Sequence, residues 1–151
     1  MVNVDLKVLK KLRDETAASI ADCRRALDES NGDYSKALSW LKKRSVEIAA
    51  KKANRETSQG IIDAYIHQGG KVGVLLELLC ETDFVAKTDD FRNLAKELEM
   101  QVAAMNPKGI DELLKQQYIR DGSQTIEQLM KGIIGKLGEN IIVKRFVRFE
   151  I

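Results

Sequence analysis

Apolar positions recur at helical spacing through the first third of the chain and then change to a mixture of strand and helix patterns. Leu6, Leu9 and Leu12 are expected to line a first helix capped by Asp5, and Ile20, Cys23, Ala26 and Leu27 repeat the pattern in a second. Asn31-Gly32-Asp33 interrupts it: Gly32 suits the positive φ that ends one helix, and Asp33 suits the cap of the next. Tyr34, Ala37, Leu38 and Leu41 form the stripe of a third helix, expected to continue through Lys52. Three short helices make a small core, so residues 1–53 read as a docking unit and not as an active-site scaffold.

Residues 54–59 are polar, lack an apolar period and read as a linker. Gly60 to His67 then reads as a strand, Gln68-Gly69-Gly70-Lys71 as a hairpin turn, and Val72 to Leu79 as a second strand whose even-numbered positions are all apolar. Phe91, Leu94, Ala95, Leu98 and Val102 define a helix that stops near Asn106-Pro107, with Asp89-Asp90 as its expected cap. Ile126, Leu129, Met130, Ile133, Ile134 and Leu137 define another. Ile141, Val143, Val147, Phe149 and Ile151 alternate with mostly polar neighbours as a third strand, with Arg145 and Phe146 out of step. The expected class is α+β: a three-helix module, then a core over residues 60–151 in the order ββααβ. Helices cover one face of its small three-stranded antiparallel sheet.

Composition narrows the function. A 44% apolar and 32% charged chain fits a globular protein with a real core and a charged surface. The net charge of +2 is too small to argue for nucleic acid or an anionic membrane. Its distribution is uneven: residues 1–55 carry 13 Lys and Arg against 8 Asp and Glu, and residues 56–151 carry 12 against 15. The basic front half keeps a ribosome- or RNA-binding module as the alternative reading. No aromatic platform is interleaved with those cations, and Trp40 stands alone on the third helix, so direct nucleic-acid contact is not expected. Cys23 and Cys80 are too few and too far apart for a zinc site or a disulfide framework, and read as free buried thiols of a reducing compartment. The opening residues lack an apolar signal core, and no apolar run approaches bilayer length. The expected location is the cytoplasm, or an organelle matrix after processing.

No catalytic set assembles from these residues. His67 is the sole histidine, at the end of a predicted strand, and Gly69-Gly70 leads into a strand where a phosphate loop would lead into a helix. Asp89-Asp90 fits a helix start better than a metal site. No catalytic residue, metal or cofactor is expected, and the protein does not read as an enzyme. The segment that stands out is Thr82-Asp83-Phe84-Val85-Ala86-Lys87, at the sheet rim just past a buried strand. On residue physics alone, Phe84 takes the ordinary role of closing its own core. The alternative is an outward anchor, since Phe offers a large apolar area with few rotatable bonds.

Several blocks resemble the elongation factor Ts family. They are Thr16 to Leu27 with Asn31-Gly32-Asp33, Ala49-Ala50-Lys51-Lys52-Ala53, Cys80 to Lys87, and Lys136-Leu137-Gly138-Glu139-Asn140-Ile141 with Arg145-Phe146 and Arg148-Phe149-Glu150. They occur in the family's order along nearly the whole chain, and together they reverse the core reading of Phe84. The resemblance implies a guanine-nucleotide exchange factor for elongation factor Tu, with a ubiquitin-associated-like N-terminal domain. It assigns partner contacts to Ile20, Ala21 and Arg24 in that domain, to Asp83 and Phe84 as the wedge, and to Leu137 and Gly138 before the last strand. Three departures from the family are visible. Ala17 and Ser19 stand where the family usually has glycines, and Ile20 and Ala21 where it has bulkier, methionine-like residues. Only 17 residues separate Pro107 from Thr125, so the family's protruding helical hairpin is expected to be absent. The single core implies a homodimer that completes the missing half, with the strand ending at Ile151 as its expected interface.

Overall fold

In a computed structural model, the protein is described over residues 3–151; Met1 and Val2, the start of the expected helical unit, lie outside the described residues. Helix α1 (Leu6–Thr16) starts where the Asp5 carboxylate accepts the Lys7 amide, and α2 (Ile20–Glu29) where Ser19 accepts that of Asp22. Helix α3 (Tyr34–Lys52) is capped by Asp33, after Gly32 takes a φ of 80°. Leu9, Leu12, Cys23, Ala26, Leu27, Ala37 and Leu41 form the small core among these helices. Leu6 does not join it and is 73% exposed. At about 100° per residue, Leu6 lies some 120° around α1 from Leu12, and Val8 takes the inward place. Trp40 packs at the edge of this core, its indole N–H donating to Glu29 at 2.6 Å with Arg25 across its ring.

Strands β1 (Gln59–Ile66), β2 (Val72–Cys80) and β5 (Ile141–Glu150) form one antiparallel sheet in the order β1-β2-β5. Val74, Leu76, Leu78 and Cys80 point from β2 into the main core, as the even-position pattern predicts. Helices α4 (Asp83–Ala86), α5 (Asp89–Met105) and α7 (Ile126–Leu137) contribute the rest of that core, with Phe91, Leu98 and Ile126 wholly buried. Between α5 and α7 come α6 (Ile110–Lys115) and a small hairpin, β3 (Gln117–Tyr118) and β4 (Asp121–Thr125). The expected ββααβ order is therefore right for the principal elements and incomplete. The hairpin escaped sequence reading because its strands are short and polar. It is held by the buried Gln101 of α5, whose amide donates to the Gln117 carbonyl at 3.0 Å and accepts the Ile119 N–H at 3.0 Å.

Two sequence expectations need correction. The cap of α5 is Thr88, whose hydroxyl accepts the Phe91 amide at 3.3 Å; Asp89 and Asp90 instead occupy the first turn, where they complement the helix dipole. The apolar stripe expected along β5 also changes face midway. Val143 pairs with Leu78 and Arg145 with Glu77, so Lys144 is an extra residue in a bulge. One extra residue reverses every later side chain. Ile141 and Val143 therefore face the helices, whereas Val147 and Phe149 are exposed on the opposite face. Phe146 and Arg148 take the inward positions, and Arg148 donates twice to the Ala103 carbonyl, at 2.9 and 3.1 Å.

The three N-terminal helices are docked onto the core. Helix α3 runs against α7, and a Cβ on Gly135 would lie 2.7 Å from the Ser45 Cβ, so glycine sets how closely the helices approach. Ala49, near the end of α3, belongs to the main core.

One buried charge sits between α5 and β1. Glu99 is 0% exposed and neither carboxylate oxygen has a hydrogen-bond partner. Lys96 Nζ lies 3.6 Å from it and 2.9 Å from Asp63 of β1. Burial, reinforced by the negative charge of Asp63, pushes the Glu99 carboxyl up to about 7, against 4.5 for an ordinary glutamate. The folded state thus holds this proton more tightly than the unfolded state. No cost arises below the unfolded value; stability falls as pH rises from 4.5 to about 7, and the full penalty stands above that. Glu99→Gln is expected to gain roughly 2–3 kcal/mol on the parent between pH 5 and pH 8. Urea unfolding of both proteins at the two pH values checks this; a constant difference would mean that folding does not raise the Glu99 carboxyl above its unfolded value.

Candidate partner-binding site

The end of β2 turns through Glu81 and Thr82 into α4, a single helical turn. So short a helix cannot hold itself, and its geometry has to come from anchors outside it. Val85 and Ala86 supply one anchor by burying themselves in the main core. Thr82 supplies the other: its hydroxyl accepts the Val85 amide at 3.3 Å and donates to Glu139 Oε2 at 2.7 Å, while its own N–H donates to Glu139 Oε1 at 2.9 Å. Asp83 and Phe84 then fall on the outer side of the turn. Asp83 pairs with Lys87 one turn on, at 2.7 Å, both largely exposed. Phe84 is 82% exposed. The core role that residue physics alone assigns to it is not what the fold shows.

Beside this turn lies the loop between α7 and β5. Gly138 ends α7 with a φ of 75°, a left-handed conformation that disfavours any side chain, and its N–H donates to the Ile134 carbonyl at 2.8 Å. Leu137 is half-buried and packs against the main core. The next two residues bind neighbouring loops. Glu139 holds Thr82, and Asn140, buried, receives its backbone support from Glu81, which accepts the Asn140 N–H at 2.8 Å. The Asn140 amide group in turn donates to the carbonyls of Ala53 and Arg55, at 3.3 and 3.0 Å. Arg55 completes the set with an ion pair to Glu81 at 3.5 Å. Asp83-Phe84 and Leu137-Gly138 are therefore brought together through Thr82 and Glu139. Glu81, Glu139 and Asn140 were not singled out from the sequence. The only available signal was that each lies inside or next to a family-like block.

Ile20, Ala21 and Arg24 form a separate exposed face at the start of α2, opposite the buried Cys23, Ala26 and Leu27. Ala17, where the family usually has glycine, takes a φ of 50° and caps α1 through its N–H to the Arg13 carbonyl, at 2.7 Å. Alanine thus adopts the glycine-like conformation, at a cost of roughly 1–2 kcal/mol. Ser19, at the other glycine-like position, caps α2 and donates to Asp22 at 2.9 Å.

Outside these surfaces the reactive groups have ordinary settings. Cys23 and Cys80 are free and buried, and burial pushes the Cys80 thiol up to about 11, so it is a poor nucleophile. His67 is exposed at the hairpin with its Nδ1 2.9 Å from the Tyr65 hydroxyl. Among the described residues, no group of three or more His, Cys, Asp or Glu is placed to hold a metal, and no helix is long and apolar enough to cross a membrane.

Comparison with known proteins bears on the same segments. The profile of the family described as Elongation factor TS matches residues 81–151, which contain the Phe84 turn, the Gly138 loop and β5. A protein named Elongation factor Ts from Thermoanaerobacter sp. (strain X514) is 40% identical over 192 aligned positions, covering 97% of this chain and 94% of that protein. With 151 residues here against 192 aligned positions, the relative carries residues that this chain lacks. Elongation factor Ts from Nostoc sp. (strain PCC 7120) is 42% identical over the whole chain, which spans 48% of that longer protein. A chloroplastic Elongation factor Ts from Guillardia theta is 39% identical, covering 99% of this chain and 90% of its own length.

Proposed function

We propose, from the premise that this chain belongs to the elongation factor Ts family, that it releases GDP from elongation factor Tu during translation elongation. The observation that carries the reading is Phe84, a large apolar side chain 82% exposed at the tip of a turn anchored on both sides. An aromatic ring held outward on a rigid support makes an efficient anchor for a partner that buries it.

A GTPase holds its nucleotide through a phosphate loop and a bridging magnesium ion. A factor that binds the nucleotide-free conformation more tightly than the loaded one weakens nucleotide affinity by the same ratio. Phe84, with Asp83 beside it, enters the partner next to the elements that support magnesium and phosphates. Leu137 and Gly138 flank that contact, where the bare glycine backbone permits close approach. The α1–α3 helices act as a ubiquitin-associated-like docking unit, residues 1–53, that holds the partner's nucleotide-binding domain through Ile20, Ala21 and Arg24. Residues 60–151 act as the exchange core. No covalent bond is made or broken, so the protein speeds exchange without catalysing a chemical reaction. The test is stopped-flow release of a fluorescent GDP from elongation factor Tu. Failure of the protein to accelerate release would remove this reading.

The outer sheet face supports a homodimer. Ile62, Ile66, Leu75, Val147 and Phe149 are all exposed on the side away from the helices, and Phe149 is 73% exposed. The bulge at Lys144 put Val147 and Phe149 there, so the strand expected to form the interface presents its apolar residues to it. Phe149→Glu is expected to convert the dimer to monomer in sedimentation equilibrium. A parent protein that is monomeric at tens of micromolar would eliminate the dimer.

A further inference from the structure

Three loops converge behind Phe84, and their ties are reciprocal. The Glu139 carboxylate takes the N–H and the O–H of Thr82, at 2.9 and 2.7 Å, and the Glu81 carboxylate takes the N–H of Asn140, at 2.8 Å. Each loop thus presents a backbone donor to the other's carboxylate. The Asn140 side chain adds the third loop through Ala53 and Arg55, at the end of α3.

We propose that Glu139 is a positioning residue of the exchange site: by gripping Thr82 at two points, it fixes the direction in which Phe84 stands from the surface. This rests on the reading of Phe84 as the wedge. A single hydrogen bond leaves a residue free to swivel about it, whereas two from one carboxylate to adjacent donors hold its orientation. The residue so held is the cap of α4. Its hydroxyl can accept the Val85 amide in the observed geometry because its proton is directed to Glu139. Val85 and Ala86 fix where the turn lies, since they are buried. They do not fix its tilt, because a four-residue helix has one apolar side and no second turn to lock it. The Phe84 ring does little to fix its own placement, being 82% exposed. The Thr88 hydroxyl holds the far end of the turn, donating to the Val85 carbonyl at 2.7 Å. The Glu139 strap constrains the near end from the loop that carries Leu137 and Gly138, so the two contact elements keep a set geometry.

The test combines variants in the GDP-release assay. Glu139→Ala is expected to lower the saturating release rate on the order of tenfold, as displacement of a positioned group by a fraction of an ångström to an ångström does. In a Phe84→Ala background it is expected to have almost no further effect, because it acts through Phe84. Glu139→Gln keeps an acceptor for the Thr82 N–H and is expected to recover part of the rate; it carries the same double-variant comparison if Glu139→Ala does not fold. Equal slowing by the Glu139 substitution in both backgrounds would assign it a general structural role and overturn the proposal, as would an unchanged rate. A parent protein without exchange activity, or a Phe84→Ala protein as fast as the parent, would overturn the wedge reading itself and this proposal with it. An active parent, a slow Phe84→Ala and a fully active Glu139→Ala would overturn the positioning role alone.

Discussion

Replacing Phe84 by Ala is expected to slow GDP release from elongation factor Tu about 30-fold and to leave the fold intact. The rate follows from the partner's side of the interface. A central aromatic anchor contributes about 2 kcal/mol or more when a partner buries it, and 1.4 kcal/mol corresponds to a factor of ten. The unchanged fold follows from this protein's side. With 82% of its surface exposed, Phe84 leaves almost no apolar area to lose when it is truncated, and the turn keeps Val85, Ala86 and the Thr82 cap. Thermal unfolding and exchange measured on the same preparation separate the two effects. A variant with a normal melting temperature and full exchange activity would show that Phe84 is not the wedge. A large drop in melting temperature would mean that the ring is covered in solution.

The largest stability effect is expected at Gly60. Its φ is +157°, and a Cβ built on it would lie 2.1 Å from the Leu78 carbonyl oxygen and 2.8 Å from the Leu79 Cα. Both are backbone atoms of the neighbouring strand, held by the β1–β2 ladder in which Gly60 pairs with Leu79. No rotamer change can relieve such a clash. Either β1 lifts from β2 at its start, or β2 shifts with Leu78, which is wholly buried. Gly60→Ala is expected to cost about 3–4 kcal/mol from backbone strain and overpacking together. For a domain of this size that is a fall of about 10 °C in melting temperature. Gly109, with open space around its Cβ position and no positive φ, provides the control: Gly109→Ala should lie within about 1 kcal/mol of the parent. Equal unfolding midpoints for the two variants would show that β1 does not start as described.

Much of this protein was legible because its signals are local. The caps at Asp5 and Asp33, the break at Gly32 and the helical stripe of α5 each depend on residues within a turn or two of one another. Strand β2 was legible for the same reason: alternation is a property of consecutive residues, and its even positions do face the core. The site was legible in a different way. Periodicity located the Thr82–Lys87 segment at a sheet rim, but only an ordered set of family-like blocks favoured an outward Phe84. The fold agrees, leaving the ring exposed.

The misses required information from elsewhere in the chain. The β3–β4 hairpin depends on Gln101, a polar residue of α5 that reads as surface until the hairpin covers it. The strap on the Phe84 turn joins Thr82 to Glu139, 57 positions apart, through two exposed-looking polar residues that no periodicity can pair. The facing of β5 was misread because a bulge is a property of two strands. Lys144 is extra only in relation to Glu77 and Leu78, which set the register on either side of it.

By itself, then, the sequence determined which of the principal segments are helix or strand, where most of those begin and end, and which residues mark the family, since all of these are written in neighbouring side chains. Tertiary structure alone decided how the Phe84 turn is seated, the hold of Glu139 on Thr82, and the presence of Val147 and Phe149 on the open sheet face. Each of those depends on how one backbone is seated against another, and no single segment carries that information.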